Sequence, residues 1–96
     1  MKHYIIEITA KVSPDKIDPH LPAHRAFLQN GYEEGFLLIS GTLDSHKGGI
    51  VVARSESLEH IKSYFQEDPL HKLHLAKYRF IEFNALKYQP FLRDWI

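Results

Sequence analysis

From Lys2 to Val12 apolar and polar residues partly alternate: Tyr4, Ile6, Ile8, Ala10 and Val12 fall on one face, His3, Ile5, Glu7, Thr9 and Lys11 on the other. A period of two with β-branched residues predicts a strand buried mainly on one side. Ser13-Pro14-Asp15 breaks it, because proline lacks an amide donor and fixes its own φ. Asp18-Pro19 then reads as a helix start, with an acceptor at the cap and proline in the first turn. His20, His24, Phe27, Leu28, Gly31 and Tyr32 recur at helical spacing down to Glu34, and Gly35 supplies the stop.

Phe36 to Thr42 (FLLISGT) is a nearly continuous apolar run, the pattern of a central strand covered on both faces. Asp44 to Gly49 is a polar, glycine-containing loop joining it to an antiparallel strand at Ile50 to Arg54. Hydroxyls at Ser55 and Ser57 can cap a second helix, whose inner side carries Leu58, Ile61, Tyr64 and Phe65. Asp68-Pro69 ends that helix, and Leu70 to Leu75 forms a short irregular or single-turn segment. A last strand sets Tyr78, Phe80 and Glu82 against Lys77, Arg79, Ile81 and Phe83. Ala85 to Ile96 holds Tyr88, Phe91, Trp95 and Ile96, too apolar a set for a loose tail.

The order strand, helix, strand, strand, helix, strand is the split βαβ pattern of a ferredoxin-like α+β fold (βαββαβ), a four-stranded antiparallel sheet with two helices on one face. The opposite face carries Ile5, Ile81 and Phe83, which predicts an apolar patch larger than soluble proteins usually expose. Packing sheet against sheet in a two-fold homodimer would cover it, with the 85–96 extension docking at the interface. The alternative is that the extension folds back over its own sheet.

Composition narrows the function. At 96 residues the chain is one domain, without linker or repeat. Twelve basic and twelve acidic residues cancel, which argues against a nucleic-acid groove or a polybasic membrane patch. No apolar run approaches the ~18 residues of a membrane span, and no secretory segment follows Met1-Lys2, so the expectation is a cytoplasmic protein. The absence of cysteine removes disulfides, thiolate nucleophiles and sulfur ligands. Seven histidines stand out.

Of these, His24 shares the inward stripe of the first helix, where a partly buried imidazole beside a carboxylate can carry protons near neutrality; a structural histidine is the plainer reading. Asp68 either terminates its helix in an Asx-type turn or, where the second helix ends near the start of the first, meets His24 and orients it. Ser40 and Gly41 close the second strand, where a backbone can approach a ligand, although turn geometry explains Gly41 as well. Gly48-Gly49 is too little for a phosphate loop. His20 with His24, and His71 with His74, have chelating spacing, but without HExxH or acidic ligands no metal is expected. Lys11, Arg25, Lys47 and Arg54 can attract a small anion or stand simply as solvated residues.

PAHRAFL (Pro22 to Leu28), GYEEGFLLISG (Gly31 to Gly41), GGIVVARSES (Gly48 to Ser57), EDPL (Glu67 to Leu70) and AKYRFIEFNALKY (Ala76 to Tyr88) together resemble the YciI-like family. The resemblance spans nearly the whole chain in order. It implies a dimeric α+β barrel, similar in fold to muconolactone isomerase and small antibiotic-biosynthesis-type monooxygenases, and a histidine–aspartate pair at His24 and Asp68. One branch of the family resembles a dehydrochlorinase of chlorinated hydroxyquinols. Three features depart from the family pattern: Gly41 is followed by Thr42 rather than proline, the usual aromatic after Asp-Pro is Leu70, and a glycine common a few residues later is absent.

These readings give a cofactor-independent lyase or isomerase acting on a small organic substrate. His24 is the general acid/base and Asp68 its orienter, with Ser40 and Gly41 lining the pocket and Tyr4 or Ile6 reaching it from the first strand. The competing expectation is a non-catalytic domain that binds a small ligand or a partner; a haem or metal protein is a third.

Overall fold

In the computed structural model, which describes residues 1–96, the even-numbered face of the first strand forms the floor of the core. That strand, β1 (Lys2–Ala10), is followed by a one-turn helix α1 (Pro14–Ile17), a 3-10 turn (Asp18–His20) and the long helix α2 (Leu21–Glu33). Next come β2 (Leu37–Thr42), β3 (Gly48–Ser55), helix α3 (Leu58–Phe65), the single turn α4 (Pro69–Lys72) and β4 (Ala76–Phe83). The strands lie in the order β2-β3-β1-β4 with every neighbouring pair antiparallel, which is the predicted ferredoxin-like sheet. Tyr4, Ile6 and Ile8 of β1 and Val51 and Ala53 of β3 pack beneath Leu28, Ile61 and Phe65 of the helices, all at most 9 % exposed. Each of the valine, leucine, isoleucine and phenylalanine side chains among them contributes about 1.5–3 kcal/mol on burial.

Local chemistry explains the boundaries. Ser57 caps α3 by accepting the His60 N–H at 3.1 Å. Gly35 ends α2 in the left-handed region at φ +87°, where a side chain would be strained. The predicted first helix is divided at its start into the 3-10 turn that carries Pro19 and the helix α2 that carries Pro22, and Pro14, expected only to break the strand, opens the additional turn α1.

One strand differs from expectation. β2 is an edge strand, not a central one. Its register against β3 shifts between Leu37 and Ile39, so that Leu37 opposes Ala53, Ile39 opposes Val52 and Ser40 opposes Val51. The bulge reverses the alternation, leaving Ile39 on the open face, 59 % exposed, and turning Ser40 to the helix side. The unbroken apolar run therefore records a bulge, which edge strands favour, rather than burial on both faces.

The C-terminal extension lies on its own sheet at the end where β1 begins. Trp95 donates from Nε1 to the Gly35 carbonyl at 3.0 Å, packs against His3 and sits under the Arg54 guanidinium, which also donates to the Trp95 carbonyl at 2.6 Å. Part of the open face is thus covered within the chain, the alternative that the sequence left open. Leu86 and Phe91 remain above 80 % exposed, and Phe83 is 37 % exposed. No helix is long and apolar enough to cross a membrane.

Gly48 belongs to β3 rather than to a loop: it pairs with Thr9, and a Cβ there would fall 1.9 Å from the Ile8 carbonyl oxygen. Gly48→Ala should therefore separate β1 from β3 and cost about 1–3 kcal/mol, read as a lower denaturation midpoint. Gly41→Ala, whose Cβ meets nothing within 4 Å, serves as the unstrained control.

Candidate active site

Helix α2 begins over the end of the sheet where β1 finishes and β4 starts, since Ala10 pairs with Ala76 there. His24 stands one turn into α2 with its side chain 13 % exposed. Facing it, Asp68 links α3 to α4 and is fully buried. The imidazole Nδ1 lies 2.9 Å from both Asp68 carboxylate oxygens. An ionised carboxylate only accepts hydrogen bonds, so Nδ1 carries the proton and Nε2 is the nitrogen left free.

Asp68 does two jobs at once. As the cap of α4 it accepts the Leu70 N–H on Oδ1 at 3.1 Å, the Asx-type turn that the sequence suggested. A third donor arrives from the sheet: the Tyr78 hydroxyl binds Oδ2 at 2.7 Å. Burial, and secondarily the Asp68 carboxylate itself, pushes the Tyr78 phenol well above its ordinary range, so it stays protonated and donating. Imidazole, phenol and backbone amide together solvate a carboxylate that has no access to water.

His24 opens onto a cleft of about 630 Å³, within the usual range for small-molecule sites. Ile8, Leu28, Val51, Leu70 and Ala76 give it an apolar floor. Ser40 and Gly41 line one wall, and the Ser40 hydroxyl accepts from the Tyr32 phenol at 2.6 Å. Thr42 and Leu70, two of the positions that set this sequence apart, are also lining residues. No three histidine, aspartate or glutamate side chains come together in metal-binding geometry.

Tyr4 and Ile6 do not reach this cleft. Both are wholly buried in the core, and the Tyr4 hydroxyl donates to Glu82 at 3.1 Å, towards the other end of β4. The sequence identified the correct face of β1 but the wrong position along it. Ile8 and Ala10 line the cleft instead, and at about 3.3 Å per residue Tyr4 lies roughly 13 Å from Ile8 along the strand. Tyr78 was missed, although a signal existed: alternation puts it on the face of Phe80 and Glu82, and pairing with Ile8 brings it under the helices.

Comparison with known proteins agrees with this architecture. No curated protein sequence matches the chain. Among solved structures, the chain is similar to the 5-chloro-2-hydroxyhydroquinone dehydrochlorinase of Burkholderia phenoliruptrix AC1100, in complex with 2,5-dihydroxybenzoquinone. The two share 18 % identity at a TM-score of 0.69, over 91 % of this chain and 95 % of that one, a likeness of fold. The family model for the YCII-related domain matches residues 1–84, from the first strand through β4, and the protein belongs to that family.

Proposed function

We propose that the protein is a cofactor-independent enzyme of the lyase or isomerase type, in which His24 moves a proton to or from a small organic substrate and Asp68 holds the imidazole in place. The observation that carries the reading is the buried carboxylate fixed on Nδ1 while the same ring borders an apolar cleft. Nε2 then acts as the base towards an acidic C–H, such as a carbon beside a carbonyl or on an enolisable ring. The C–H electron pair passes into the substrate as an enolate, and Asp68 stabilises the imidazolium formed. From there the pair either expels a leaving group from the adjacent carbon or recaptures the proton from His24 at another carbon. Neither route needs an oxidant or a second substrate. The fold neighbour is a dehydrochlorinase, an elimination of this general kind.

A second reading is favoured by Thr42 and Leu70, which alter the cleft wall: a domain that binds a small ligand without converting it. Incubation with enolisable acids and hydroxylated aromatics, followed by thermal shift and mass detection of product, separates the two. Conversion is expected. With a converted compound in hand, His24→Ala and Asp68→Asn should each lower turnover on the order of 10²-fold or more while circular dichroism stays native. Stabilisation without product would favour binding, and undiminished turnover in His24→Ala would end the acid–base assignment.

Tyr78 acts through Asp68. Tyr78→Phe removes one of three donors and should cost about 1–2 kcal/mol of stability. Loosening of the carboxylate should lower kcat with little change in KM, since the phenol does not border the cleft; an unchanged kcat would confine Tyr78 to packing.

We further propose a homodimer formed across the part of the open face that the extension leaves uncovered, where Ile39 and Phe83 stay accessible. Sedimentation equilibrium should give twice the chain mass of 11.2 kDa, and Phe83→Lys should shift it towards monomer.

A further inference from the structure

The chain is neutral as a whole, yet the mouth of the His24 cleft is not. Lys11 leaves β1, Arg25 follows His24 on α2 and Lys47 ends the β2–β3 loop, and all three line the cleft, against Asp18 as the one acid. None of the three enters an ion pair, although lysine and arginine elsewhere in the chain do. Backbone hydrogen bonds fix where two of them start: the Lys47 carbonyl accepts the Ala10 N–H, and the Lys11 N–H donates to the Leu75 carbonyl, each at 2.8 Å. The cations therefore spring from three separate elements around one opening, above a floor of hydrocarbon.

Unpaired cations around a low-dielectric cavity focus a positive potential into it and favour anionic ligands. An apolar floor selects against a bare inorganic anion, which gains nothing from burial next to leucine and valine. We infer that the cleft takes a small organic anion with a compact apolar body on the floor and a carboxylate or ring-oxygen anion at the mouth, held among Lys11, Arg25 and Lys47. The inference rests on the acid–base reading for its catalytic meaning, because the same field would stabilise an enolate formed by His24, but it stands on charge and shape for binding.

Four probes test it by NMR titration of the amide spectrum at low salt: benzoate, 4-nitrophenolate, benzamide and inorganic phosphate. Benzoate, 4-nitrophenolate or both should bind at least tenfold tighter than benzamide, moving the signals of Gly41, Thr42 and Gly49, and added salt should weaken the anions alone. Preference for benzoate would identify the anionic group as a carboxylate, and preference for 4-nitrophenolate as a ring oxygen. Arg25→Glu with Lys47→Glu, both exposed positions outside the core, should abolish the discrimination while the spectrum stays dispersed. Benzamide binding as tightly as both anions, phosphate binding as tightly as either, or a preference that survives the double substitution would each overturn the inference. These outcomes are read by binding alone, so they stay separate from loss of turnover in His24→Ala, which tests the acid–base reading.

Discussion

A carboxylate without access to water is tolerable only where donors converge on it, and the neighbourhood of Asp68 is organised around that requirement. Its three partners come from three parts of the chain: an imidazole from α2, a phenol from β4 and the backbone amide of α4. Each approach depends on the fold being complete. The pairing of β4 with β1 brings Tyr78 under the helices, the stop at Gly35 turns α2 back to the sheet, and Pro69 fixes the turn that aims Leu70 N–H at Oδ1. Removal of any one partner leaves a buried charge short of a hydrogen bond, a larger loss than the bond contributed when made.

The same constraint gives the imidazole its direction. A histidine on a helix can present either nitrogen to its surroundings, but once Nδ1 is committed to two carboxylate oxygens the ring has one chemistry left to offer, at Nε2. Structural and chemical readings of Asp68 are thus not rivals. The turn that opens α4 is what immobilises the carboxylate, and the immobile carboxylate in turn fixes the imidazole against it.

The strand and helix order, the open sheet face and the candidate pair were legible because each rests on a local signal: alternation in β1 and β4, helical spacing from His24 to Tyr32, and proline after Asp68. The family resemblance added the expectation that the pair meets. What failed was whatever depends on register. FLLISGT reads as a central strand because a pattern of burial cannot be told from a bulge without knowing the partner strand. Tyr4 and Ile8 have equal claims to a pocket in sequence, and only the position of α2 along β1 decides between them. The destination of the extension was equally open, since an aromatic tail shows that it docks but not on which copy.

The cleft wall and the buried hydrogen-bonded pair are physically separable in this site, which bears on Thr42 and Leu70. Leu70 serves Asp68 through its backbone amide, a donor that any residue other than proline supplies, while its side chain forms part of the cleft floor. A leucine in place of an aromatic at that position therefore reshapes the cavity and leaves the carboxylate's hydrogen bonds intact. Thr42 lies at the end of edge strand β2, beyond the bulge that orients Ser40, and touches neither Asp68 nor Tyr78 through a hydrogen bond. An altered wall at Thr42 and Leu70 therefore changes what the cleft can accommodate while the hydrogen-bonded His24–Asp68 pair stays intact.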